Sequence, residues 1–148
     1  MSGRFYEDLS IGQLFHGGPV TLTADAIKAF ARDYDPQPFH LDEAAAAASF
    51  FQGLAASGWH TAALTMRMFV EGEARIEGGL IGAGIEQMRW PRATRPGDTL
   101  RITTEVLEMR PSKSRPEIGL VRIRTTTFNQ KDEEVQVLEG TLVVPRRL

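Results

Sequence analysis

The sequence contains no cysteine, which excludes a disulfide framework, a thiolate nucleophile and a cysteine-type zinc site, and is compatible with a reducing compartment. Histidine is nearly as scarce. His16, His40 and His60 are the three present, and no pair has the His-x-x-x-His spacing that places two zinc ligands on one helical face, so no metal site is expected. An excess of one charge is also missing: seventeen Lys plus Arg against nineteen Asp plus Glu leave a formal charge of −2. No overall field draws a polyanion, and nucleic acid is not an expected partner. The most apolar stretch, 59–70, falls short of the ~20 residues of a membrane-spanning helix and carries His60 and Arg67 within it. The N-terminus lacks an apolar h-region and carries acids early, so the chain reads as cytoplasmic, without membrane association.

What is there is a chain of 148 residues, 42% hydrophobic and 24% charged, with no linker-like stretch and no internal repeat. It reads as one domain over 1–148. Pro19 to Leu22 is short and β-prone. Thr23 then offers an N-cap hydroxyl, and Asp25 suits the first turn of a helix whose buried stripe is Ile27, Phe30, Ala31 and Tyr34. Pro36 ends that helix, because the residue before a proline is pushed out of the α region. Asp35 to His40 is expected to be a stiff irregular loop. A second helix should run from an Asp42 N-cap through Ala44 to Ala48 toward Phe50-Phe51, with Gly53 as its stop.

The third helix, from Ser57-Gly58 to Gly72, carries Trp59, Ala62, Leu64, Met66, Met68, Phe69 and Val70 around most of its circumference. A helix apolar nearly all round must be surrounded. From Gly79 onward the pattern turns to β, with strands expected over 80–90, 99–109, 118–129 and 135–144 between turn-rich links. Leu100, Ile102 and Val106 alternate with other positions, as do Val135, Val137, Thr141 and Val143, which predicts one core-facing side. Helices first and a long antiparallel sheet after them give an α+β fold.

Asp35 and His40 share the proline-stiffened loop, next to apolar Tyr34 and Phe39. Such a loop presents a carboxylate and an imidazole to one space without flexing, the arrangement of a water-handling acid/base pair. The same residue types also serve as a turn cap and a helix cap.

Tyr34-Asp35-Pro36-Gln37-Pro38-Phe39-His40-Leu41-Asp42 resembles the Asp-x-Asn-Pro-x-His loop of the MaoC-like dehydratases and R-specific enoyl-CoA hydratases, with Gln37 where the common pattern has Asn. Leu41 to Ala45, the Ser57-Gly58 pair, Trp90-Pro91-Arg92 and Pro96 to Leu100 extend the resemblance over most of the chain. It implies the hot-dog fold, a long central helix wrapped by a curved antiparallel sheet. It also implies a hydro-lyase that adds water reversibly to a trans-2-enoyl thioester, CoA-linked, to give the (R)-3-hydroxyacyl product. No cofactor is implied beyond the coenzyme A that carries the substrate. The implied assembly is a homodimer or higher homo-oligomer with sheets joined edge to edge.

Within the resemblance Asp35 and His40 hold and activate the water, and Gly58 supplies the oxyanion donor. That position opens a helix, where backbone N–H groups have no intrahelical partner and the dipole favours an anion. Substrate contacts are expected from Gln37, Phe51, Ser57 (histidine in many relatives) and His60, although a lone histidine on an apolar helix also serves as a core residue. Phe50, Phe51 and Leu54 are expected to cap an acyl tunnel, or else to pack helix against sheet. Arg89, Arg92 and Arg95 are available to a carrier's phosphates, or else solvated. Gly82-Ala83-Gly84 lies inside a strand with no phosphate-binding helix after it, so it is not a dinucleotide fingerprint. Two other readings are a thioesterase on the same fold and a non-catalytic acyl-thioester binder, the latter disfavoured by the presence of both Asp35 and His40.

Overall fold

Thr23 caps the first helix as expected: its hydroxyl accepts from the Ala26 N–H at 3.1 Å, and α1 runs Ala24–Tyr34. The structure, a computed structural model, describes residues 3–148. Ile27 and Ala31 bury the inner face of α1, but Tyr34, expected in that stripe, is 74% exposed at the helix end. The segment after it is more regular than two prolines suggested. Pro38, with φ preset for a first helical position, opens a single turn, α2, Pro38–Leu41. Asp42 caps α3, its carboxylate accepting from the Ala45 N–H at 2.8 Å, but α3 spans only Glu43–Ala47. The run of alanines does not carry it to Phe51, because the Ser49 hydroxyl bonds back to the Ala46 carbonyl at 2.6 Å and Gln52 adopts φ 56°.

The long helix α4, Gly58–Glu71, begins where Ser57 caps it, the hydroxyl accepting from the Trp59 N–H at 3.2 Å. Five antiparallel strands follow the order β1-β3-β4-β5-β2: β1 Leu14–Thr21, β2 Ile81–Arg89, β3 Thr99–Pro111, β4 Ile118–Phe128 and β5 Glu134–Pro145. Met68 and Phe69 of α4 pack into the concave side of the sheet with Phe15, Leu100, Ile102, Val121, Ile123 and Val144. This is the α+β hot-dog arrangement. The helix is not wrapped all round, however: Trp59 and Met66 are 62% and 56% exposed, on the side where edge strand β2 also leaves Ile81 and Ile85 open.

Val135 and Val137 are buried as expected, but beyond them the inward face of β5 differs from the expected one. A register shift between Thr127 and Phe128 of β4 inserts Val135 as an extra residue, and from there Gln136, Gly140, Leu142 and Val144 lie on the buried face. Thr141 and Val143, read as core from their alternation, are one residue out of phase, since a bulge exchanges the two faces of a strand. Three of the inward positions on β3 and β4 are threonines. Thr104 and Thr125 pair their hydroxyls at 2.8 Å, and Thr127 meets Thr65 of α4 at 2.6 Å, so the polar atoms are satisfied inside the core. The glycines of β2 mark another register shift, between Gly82 and Gly84 opposite β5, as expected for a strand that bends.

Candidate active site

Helices α1, α2 and α4 converge at one end of the sheet, and the residues they bring there form a single constellation. Asp35 is the residue at which α1 stops; its backbone N–H still bonds to the Ala31 carbonyl at 2.9 Å. His40 sits in α2 with 4% of its surface exposed. Its Nδ1 lies 2.6 Å from the Ala55 carbonyl oxygen. A carbonyl only accepts, so Nδ1 carries the hydrogen and Nε2 is the atom free for chemistry. Nε2 faces Oδ2 of Asp35 at 3.3 Å.

The support around this pair is rigid. The Ala55 N–H donates to the Phe39 carbonyl at 3.2 Å, and the Arg95 guanidinium donates to the carbonyls of Phe51, Gly53 and Leu54. Arg95 therefore staples the 51–54 turn rather than meeting a phosphate or solvent alone. Phe39 presents an edge to the His40 ring at 4.7 Å, and Phe51 lies 6.0 Å from it. Burial pushes the Asp35 carboxyl up, but the Ser57 hydroxyl, the Gln37 amide and the His40 ring together outweigh it and hold the group below the ordinary aspartate value. Asp35 is accordingly a carboxylate near neutral pH.

Asp35, His40, Phe51 and Gly58 line one cavity of about 390 Å³, a volume in the range of small-ligand sites. Gln37 and Ser57 act one step back, both on the Asp35 carboxylate. His60, expected to touch substrate, does not line the cavity. Successive residues turn by about 100° on a helix, so Gly58 and Thr61 face the cavity while His60 faces α1. There its ring stacks on Phe30 at 4.6 Å and 3°, and burial lowers its pKa, keeping it neutral. Leu54 is likewise a core residue, packed in a cluster with Leu22, Ile27 and Ala46, which leaves Phe50 and Phe51 at the cavity wall. Trp90, Thr61 and Thr94 line the cavity without having been singled out as contacts. Trp90, of the Trp90-Pro91-Arg92 match, lies far from the Asp35 loop in sequence, and the structure brings its ring over Gly58. A larger cleft of about 480 Å³ opens at the other end of α4, where His16 and Glu73 pair at 3.2 Å, but both side chains are more than half exposed.

A family model described as "MaoC like domain" matches residues 9–128. The chain belongs to the MaoC-like family. It is 51% identical to a MaoC-like dehydratase from Rhodospirillum rubrum of known crystal structure, with 99% of each chain covered and a TM-score of 0.95. It is 28% identical to the R-hydratase PhaJ1 from Pseudomonas aeruginosa, covering 97% of this chain and 86% of that one at a TM-score of 0.79. Over 138 residues it is 33% identical to the uncharacterized protein YdeM of Bacillus subtilis, covering 93% of this chain and 95% of that one. The MaoC-like domain thus spans the Asp35–His40 loop, α4 and the sheet through β4.

Proposed function

We propose that this MaoC-like protein is an enoyl-thioester hydratase, adding water reversibly across a trans-2-enoyl-CoA to give the (R)-3-hydroxyacyl-CoA. The observation that carries the reading is the shared cavity: Nε2 of His40 and Oδ2 of Asp35, 3.3 Å apart, open beside the first residue of a long helix. A water held by both atoms loses a proton to the pair as its oxygen bonds to Cβ, and a proton from the pair completes the new C–H bond at Cα. As the Cα–Cβ double bond breaks, negative charge gathers on the thioester oxygen. The Gly58 N–H has no carbonyl within its own helix to donate to, and the helix dipole favours an anion there. R-hydratase and dehydratase relatives support the reaction class. The exposed outer edge of β2 supports a homodimer with sheets paired edge to edge.

Purified protein with crotonyl-CoA tests the reading: enoyl-thioester absorbance falls with no free thiol released. Thiol release without hydration would favour a thioesterase, and tight binding without turnover a non-catalytic binder. Ser57→Ala probes the electrostatics. Asp35 must be ionised to take part, and Ser57 helps hold its pKa down. Removing the hydroxyl raises that pKa, so the acid limb of the kcat/KM profile moves to higher pH while turnover on the plateau falls by less than about tenfold. An acid limb that stays in place would show that Ser57 only caps α4.

A further inference from the structure

A second cleft lies beside the catalytic cavity, apolar and about 200 Å³ in volume, walled by Ala62, Met66, Ile85, Leu138 and Leu142. Three elements lead from one space to the other. On α4, Thr61 lines the catalytic cavity, and Ala62 and Thr65 line the cleft. On β5, Leu138, Gly140 and Leu142 line the cleft, and Gln136 is the next residue on the same face. On β2, Gly82, Gly84 and Ile85 line the cleft, and Trp90 directly follows the strand's last residue, Arg89. The β5 and β2 paths meet at one pair of side chains, since Gln136 and Trp90 are hydrogen-bonded to each other.

That pair is Trp90 and Gln136. The indole N–H of Trp90 donates to Gln136 Oε1 at 2.9 Å. On its other side the ring lies over Gly58, where a Cβ would meet ring atoms Cε2, Cδ2 and Cζ2 at 2.6–2.9 Å. Gln136 is 0% exposed and its Nε2 has no partner among the described residues. An aliphatic side chain would fill that position without stranding a donor, so the indole is what this amide serves. The T-shaped contact of Trp90 with Trp59 at 5.5 Å adds a third support.

We propose that Trp90, anchored by Gln136, is the specificity-determining wall that closes the catalytic cavity off from the apolar cleft. It confines the substrate to short enoyl thioesters of about four acyl carbons. This rests on the hydratase reading. With the ring in place an acyl chain longer than crotonyl meets the indole; with the ring removed, the chain has an apolar path along α4 toward Met66 and Leu142.

The test compares kcat/KM for crotonyl-CoA and trans-2-octenoyl-CoA in the unaltered protein, Trp90→Ala, Trp90→Leu and Gln136→Leu, with melting temperatures for each. The unaltered protein favours the shorter substrate, and Trp90→Ala shifts the ratio toward octenoyl-CoA by about 100-fold or more, given tenfold or more for a single methylene in an apolar pocket. Gln136→Leu releases the ring without deleting it and shifts the ratio in the same direction by less. If Trp90→Ala fails to fold, Trp90→Leu, which keeps an apolar side chain, decides. A ratio that moves less than about threefold in the folded variant, or an unaltered protein that hydrates octenoyl-CoA as well as crotonyl-CoA, overturns the wall and leaves the hydratase reading intact. If no enoyl thioester is hydrated, that reading fails. Calorimetric binding of butyryl-CoA and octanoyl-CoA to the same variants then judges the wall by the same ratio, and failure to bind either overturns it as well.

Discussion

Asp35→Asn and His40→Gln each lower kcat for crotonyl-CoA hydration by roughly 10²–10⁴ while leaving the fold intact. The first substitution keeps an oxygen for the Gln37 amide to donate to, so it removes the charge and the proton affinity with little loss of packing. The second replaces the imidazole with an uncharged amide, which removes Nε2, the atom that faces Asp35, along with the Nδ1–H that donates to the Ala55 carbonyl. Because both groups hold one water, losing either leaves the other without its task, and the double variant is little worse than each single one. Turnover with crotonyl-CoA and thermal melting check this together. Near-normal turnover with a lowered melting temperature would mean that Asp35 and His40 serve as caps.

Gly58→Ala lowers kcat by roughly 10²–10³, the range found when one oxyanion donor is lost. The amide itself survives the substitution, so the effect has to come through geometry. A Cβ at this position falls 2.6 Å from Trp90 Cε2, well inside contact distance, and either the indole or the first turn of α4 must shift. A displaced first turn re-aims the N–H, and oxyanion stabilisation depends on aim to within a fraction of an ångström. Adding Trp90→Ala removes the obstacle. The double variant therefore recovers most of the turnover with crotonyl-CoA that Gly58→Ala alone loses, a coupling expected of residues in direct contact. Additive losses in that cycle would contradict the steric account.

The parts of the fold legible in sequence were those fixed by local chemistry. Thr23 and Asp42 cap helices because a side-chain oxygen followed by helix-forming residues has one strong use, and the four later strands lie within two residues of their expected bounds. The residue types of Asp35 and His40 read equally as caps, and it was the resemblance of their loop to the MaoC-like pattern that singled them out; the structure sets them 3.3 Å apart. What escaped depended on distant partners. The inward face of β5 turns on a bulge set by its pairing with β4, which nothing in the Val135 to Val143 alternation reveals. The truncation of α3 follows from one serine bonding backward, against the propensity of five alanines. His60 looked available because it neighbours Gly58, whereas helical geometry sends it to Phe30. Of the expected acyl cap, Phe50 and Phe51 do wall the cavity and Leu54 does not, and the further wall residue Trp90 is brought there because it follows directly on β2, whose pairing with β5 ends at Arg89.

Hydration of crotonyl-CoA in water labelled with heavy oxygen, followed by chiral separation and mass spectrometry, tests the central claim most directly. The account predicts one heavy oxygen on C3 of 3-hydroxybutyryl-CoA, the (R) enantiomer in large excess, and loss of that signal in Asp35→Asn. Heavy oxygen in a free carboxylate with released coenzyme A, or a predominance of the (S) product, would contradict it.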